Sequence, residues 1–229
     1  MGASPWPAGQ SLDHEPRYQA AGVDTKKKSL GATERNEEER ACWREQNHER
    51  DASPLVFVDE CGSNIGLTPL YARAPKGQRA TDSVPRNRGK NTTLIASLSL
   101  EGMGASMIIE GAANAVAFET YVEHILVPSL RRGQVVVMDN LRVHKSARVR
   151  HLIEEVGCQL LFLPAYSPDF SPIEETFSKV KAFVPCRKAR TREALEEAIT
   201  QALLTVTAQD AHGWFGHCGL GSSEERKSS

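Results

Sequence analysis

The sequence predicts an α/β protein: a mixed sheet, with antiparallel hairpin strands plus parallel βα units, covered by helices. Three observations predict it. Residues 55–58 and 135–138 are continuously apolar, as strands buried on both faces are. Residues 92–100 and 103–110 read as strands that meet at the turn Glu101-Gly102. After residue 114, helical and strand periodicities alternate. A chain of 229 residues supplies one good core and an extension, not two large domains.

Taken in order, residues 1–25 are rich in Gly, Pro, Ala and Ser without apolar period, and are expected to be disordered. Residues 26–53 read as a charged linker containing Lys26-Lys27-Lys28 and a short exposed helix over 37–45, with Trp43 its only large anchor. The folded domain is expected over 54–206. It begins with strands at 55–58, 66–74, 92–100 and 103–110. Asn114 then caps a helix whose apolar face is Phe118, Tyr121, Val122, Ile125 and Leu126, ended by Pro128 and Gly133. A strand over 134–139, a helix over 146–156 stopped by Gly157, and a strand over 159–163 follow. A rigid loop, 164–171, leads to helices at 172–183 and 191–205. Residues 207–229 form a tail, tucked in by Trp214 and Phe215, with its last residues disordered. This is the strand order of the ribonuclease H-like fold, which periodicity alone does not separate from other mixed sheets.

Several function classes are excluded early. No apolar run approaches the roughly 20 residues of a membrane span, and no signal peptide opens the chain. Five scattered cysteines suit free thiols in a reducing cytoplasm. His212, His217 and Cys218 lack a partner pair at zinc-ligand spacing. No Gly-rich phosphate loop and no nucleophile elbow occur.

Three carboxylates remain: Asp59 and Asp139, each following an apolar strand, and Glu174 in the first turn of a helix. Each has a bland reading. Aspartate is common where strands end. Ser171-Pro172-Ile173-Glu174 fits a capping box, with Ser171 as N-cap and Glu174 at the third helical position. Strands carrying Asp59 and Asp139 would, as central neighbours, set these acids side by side about 4.8 Å apart. Acids gathered there call for a cation, and oxygen-only ligation favours magnesium or manganese. Such ions serve phosphodiester chemistry, so the acids read as the centre of a metal-dependent DNA-processing enzyme. Glu175 is expected to pair with Lys179 at the surface.

Cations flank these acids, although the formal net charge is only −1. Arg73, Lys76, Arg79, Arg86, Arg88 and Lys90 face a single acid, Asp82, within residues 73–90. Residues 176–192 add six more cations and no acid, and the helical stripe Glu174-Ser178-Lys181 sets one of them beside the acids. Arg73, Lys76, Arg86, Arg88, Lys90 and Lys181 are the candidate contacts to a phosphate backbone.

The stretch Leu161-Phe162-Leu163-Pro164-Ala165-Tyr166-Ser167-Pro168-Asp169-Phe170-Ser171-Pro172-Ile173-Glu174-Glu175 resembles the third-acid motif of DDE transposases of the mariner superfamily. Val137-Met138-Asp139-Asn140 with His144-Lys145 resembles the second, and Val58-Asp59-Glu60 the first. The 34 residues between Asp139 and Glu174 match the superfamily's bacterial insertion-sequence branch (insertion sequence 630 type) and select Glu174 over Glu175. Segments 66–77 and 210–215 also resemble that branch.

The resemblance implies a catalytic domain with two magnesium or manganese ions held by Asp59, Asp139 and Glu174, with Asn140 and His144 ordering the second-acid loop. It implies cleavage of double-stranded DNA at transposon ends and transfer to a target, typically a TA step, by a homodimer in the bacterial cytoplasm at the nucleoid. Relatives carry N-terminal helix-turn-helix modules that this sequence does not show. A split enzyme using an upstream-frame DNA-binding polypeptide, or an inactive truncated remnant acting as a regulatory partner, are the two readings this leaves.

Overall fold

The computed structural model describes residues 32–47, 50–69 and 71–221. The expectations for residues 1–25, for Lys26-Lys27-Lys28 and for the last residues of the tail lie outside them. Strands β1 (Leu55–Ser63), β2 (Thr92–Ser99), β3 (Gly102–Glu110), β4 (Val135–Met138) and β5 (Gln159–Phe162) form a sheet in the order β3-β2-β1-β4-β5. The pairs β1–β2 and β2–β3 are antiparallel, whereas β1–β4 and β4–β5 are parallel. The parallel pairs need crossovers, supplied by the helical run after β3 and by α4 (Ala147–Glu155).

Strand alternation sorts the core into two layers. Leu55, Phe57 and Cys61 of β1, with Val135 and Val137 of β4, face α5 (Ile173–Cys186), α6 (Arg192–Leu204) and α7 (Ala208–His217). Val56, Val58, Val136 and Met138 face the other side, against Phe118, Tyr121, Leu126, Val149 and Ile153. On α5, Ile173, Phe177, Val180 and Val184 are buried, the i, i+4, i+7, i+11 stripe of an amphipathic helix. Phe215 of α7 meets Phe57 edge-on, with ring centroids 5.4 Å apart, which ties the C-terminal helix to the central strand.

Several expectations change. The described residues of 66–74 form no strand. The far end of β1 is taken by β2 (Ser63 pairs Thr92), and Pro69 offers no donor, so the chain between β1 and β2 leaves the sheet as an irregular loop. Arg190 Nη1 fastens the start of that loop through the carbonyls of Ile65 and Leu67 (3.1 and 2.9 Å). Asn114 caps α2 (Ala115–Tyr121), accepting from Ala117 N at 2.8 Å, but residues Val122–Leu126 widen into a π-helical stretch before α3 (Val127–Ser129). Pro128, which has no N–H for the preceding turn, lies two residues beyond that stretch, within α3. The first helix of the described residues, α1 (Glu37–Asn47), is exposed over most of its surface, but Trp43 is not its only anchor: Arg40 and Asn47 are buried on the same face.

Candidate active site

Parallel pairing of β1 with β4 ends at Val58–Met138, so the next residues, Asp59 and Asp139, emerge from neighbouring strands at the same level. Asp59 does not end its strand. β1 continues beside β2 to Ser63, and only its β4 partner stops. Alternation puts Asp59 on the face with Phe57 and Cys61, under α5, where the first turn carries Glu174. Asp59, Asp139 and Glu174 line one cavity of about 310 Å³, together with Asn140, Leu141, Pro164, Tyr166 and Ser171.

The expected capping box does not form. The N-cap of α5 is Pro172, without any side-chain cap, and Ser171 offers only its carbonyl, to Glu174 N at 3.2 Å. Glu174 is therefore not consumed in holding its helix. Glu175 pairs with His217 (3.1 Å) rather than with Lys179, because α7 packs alongside and Asp210 takes Lys179 Nζ at 2.8 Å.

The electrostatics are those of crowded acids. Burial pushes the Asp59 carboxyl up to about 8, against the opposing hydrogen bond from Glu60 N, and the charges of Asp139, Glu60 and Glu174 add to the rise. Burial likewise raises Glu174, opposed by Lys181 and reinforced by Asp139. Lys181, a candidate DNA contact, thus acts on the third acid, and it also opposes the desolvation that raises the buried Cys61 thiol. Arg73, Lys76, Arg86, Arg88 and Lys90 lie exposed in or next to the irregular loop, outside the cavity lining.

His144 is fully buried and spans two acids. Nδ1 lies 2.5 Å from Asp139 Oδ1, and Nε2 lies 3.0 Å from Glu60. Burial alone would lower the imidazole, but hydrogen bonds to Asp139 and Glu60, and then their charges, win and raise it to about 10. The ring donates on both sides, with Phe118 packed against it at 4.3 Å. Leu141 N donates to Asp139 Oδ1 as well (3.0 Å), so both bonds fall on the same oxygen. Glu60 is a site residue that the sequence reading does not single out. The signal lies in its position, since it follows Asp59 in an alternating strand and must face the opposite layer, where His144 lies. Tyr166 is likewise not singled out. It stands on the cavity lip, 57% exposed, in the left-handed region at φ +55°.

The donor set, all carboxylate oxygens, suits a hard divalent cation. Among the described residues no three of His, Cys, Asp or Glu are gathered as a ready cage. The fit therefore rests on the chemistry: the lining gathers three carboxylates, and a cation would offset the burial and mutual repulsion that raise Asp59.

Fold and cavity define the class, an α/β protein in which three carboxylates line one cavity at the end of the central strands. More particularly, the chain belongs to the DDE superfamily endonucleases, whose family model matches residues 54–196. No curated protein matches the chain. Among solved structures, the Mos1 mariner paired end complex with Mn is 18% identical, with a TM-score of 0.69 over 87% of this chain and 65% of that one. The Mos1 strand transfer complex is 19% identical (TM-score 0.64, 87% and 64%). The Mos1 transposase catalytic domain with raltegravir and Mn is 15% identical (TM-score 0.58, 84% and 92%). These likenesses establish the ribonuclease H-like fold. The chain spans about 65% of the length of the chain in the first complex.

Proposed function

We propose that this chain is the catalytic domain of a DDE transposase of the bacterial insertion-sequence branch, cutting and joining DNA strands with two magnesium or manganese ions. The observation that carries the reading is one cavity lined by Asp59, Asp139 and Glu174, in which burial and the neighbouring carboxylates raise Asp59. Asp59 and Asp139 would hold the ions from adjacent strands, and Glu174 would complete the set from α5. The bound ions would supply water activation and stabilisation of the leaving oxygen. His144 keeps Asp139 turned through Oδ1, and Glu60 holds the imidazole from behind.

Double-stranded DNA at transposon ends, and a target such as a TA step, are the substrates this reading implies. The Mos1 complexes named above contain paired ends and a strand-transfer product, which supports a homodimer as the working form here. Arg73, Lys76, Arg86, Arg88, Lys90 and Lys181 would meet the phosphates. An upstream-frame polypeptide would recognise the ends.

The test is manganese-dependent nicking of supercoiled DNA carrying the element's ends, with and without the upstream product. Activity that disappears in Glu174→Gln supports the reading. A folded chain that never cuts, under either condition, points to the inactive remnant.

A further inference from the structure

Arg40 lies on α1, before the residues matched by the family, and yet it is completely buried. Its guanidinium forks Asp169, Nη1 to Oδ1 at 3.0 Å and Nη2 to Oδ2 at 2.6 Å, across 129 residues of sequence. Its Cζ also lies 4.2 Å from the Phe170 ring centre, and Trp43, one turn along α1, stacks on the same ring at 4.8 Å with planes 10° apart. Arg35 and Arg44 approach Asp169 as well, at 3.6 and 3.8 Å. Burial raises the Asp169 carboxyl, but the bond and charge of Arg40 outweigh it and hold the group below its usual range.

Asp169 and Phe170 belong to the 3-10 turn Pro168–Phe170, which feeds Ser171, Pro172 and then Glu174. Backbone bonds run from Ser171 N to Pro168 O (3.0 Å) and from Glu174 N to Ser171 O (3.2 Å). The start of α5 therefore takes its placement from the turn that Arg40 grips, and no side chain caps it from within. Stability alone does not call for an arginine here. Burying a guanidinium carries a desolvation penalty, which an apolar side chain of similar volume would avoid. Its Nε makes no hydrogen bond, with Glu37 the nearest acid at 3.5 Å.

We propose that Arg40 is a positioning residue: through Asp169 and Phe170 it sets Glu174 in the acidic cavity, so that the helix leading into the domain governs assembly of the catalytic centre. The proposal rests on Glu174 being the third acid.

The experiment compares the full chain with Arg40→Met, Arg40→Lys and Asp169→Asn. It reads thermal unfolding, Mn²⁺ affinity by electron paramagnetic resonance, and amide exchange in the metal-free protein. Cooperative unfolding is expected to persist in Arg40→Met while Mn²⁺ binding weakens about tenfold, the scale on which groups orienting a metal ligand act. Exchange should rise in 168–176 and stay unchanged in β1 and β4, with Arg40→Lys intermediate. Wild-type exchange in 168–176, with Mn²⁺ affinity within twofold, overturns the proposal. Should Arg40→Met not fold, Asp169→Asn, on a half-exposed side chain, gives the same decision. A wild-type chain that binds Mn²⁺ no better than Asp139→Ala overturns the three-acid reading instead, and the metal-free exchange comparison still decides the brace.

Discussion

His144 and Asp139, five residues apart, are joined by a 2.5 Å contact from a buried ring to a carboxylate of the cavity lining. Because the opposite nitrogen rests on Glu60, the ring bridges two carboxyl groups, whose hydrogen bonds and charges raise its pKa. Removing it strands both acids. His144→Ala should destabilise the fold by about 3–5 kcal/mol, as breaking a buried pair does, and slow DNA cleavage at least tenfold. Urea unfolding and initial cleavage rates check this. Glu60→Gln, which keeps a hydrogen-bonding group, should do less.

The same ring makes stability depend on pH. Its folded value, about 10, lies above the ordinary 6.5, so the folded state binds the proton more tightly. The stabilisation is full below pH 6.5 and is lost as pH rises toward 10. Melting temperature should fall across that window in the wild type, and the slope attributable to His144 should vanish in His144→Gln.

Asp59 acts in the same direction and lower in pH. A carboxyl raised from 3.8 to about 8 favours the folded state when protonated, so stability declines from about pH 4 to about pH 8 in chelator. Asp59→Asn should therefore melt higher than wild type at the upper end of that window without divalent metal. Added Mn²⁺ should raise the melting temperature of the wild type and leave Asp59→Asn behind. A calorimetric scan with and without EDTA reads both.

The exposed loop cations predict a salt effect. Replacing Arg86, Arg88 and Lys90 together with alanine should weaken DNA binding without sequence preference. The slope of log affinity against log salt should fall by roughly 0.9 for each phosphate left without its cation. Fluorescence anisotropy over a salt series measures this. Lys90 also pairs with Glu110 at 3.2 Å, so its share should be the smallest.

The C-terminal helix is part of the core. Thr207 and Asp210 form a reciprocal capping box, and Phe215 is buried against Phe57. Thr207→Ala should cost about 1 kcal/mol and Phe215→Ala about 3–5 kcal/mol. Chemical denaturation at constant pH distinguishes the two sizes.

Much of the fold is legible because its signals are local. Apolar runs at 55–58 and 135–138, Asn114 before α2 and Gly157 after α4 each declare an element within a few residues, while the β2–β3 turn falls at 100–101, one residue before the expected 101–102. Less legible is whatever a distant partner decides. Residues 66–74 look like a strand, yet those described pair with no strand of the sheet, and Lys179 is claimed by Asp210 on a helix 31 residues away rather than by Glu175 one turn off. Arg40 and Trp43 read as surface charge and a lone anchor until Asp169 and Phe170 arrive to bury them. In the candidate site, the carboxylates follow from position and motif, whereas Glu60 requires knowing which layer holds His144.

The central strand has a consequence for synthesis. β1 waits for β4, with Leu55 pairing Val135, and then for Phe215 to close over Phe57. Pairings so far apart in sequence form late and slowly. A nascent chain on the ribosome can thus expose Asp59 and Asp139 long before α5 and α7 exist to complete their surroundings. The carboxylate-lined cavity is complete only once α5, which brings Glu174, has emerged.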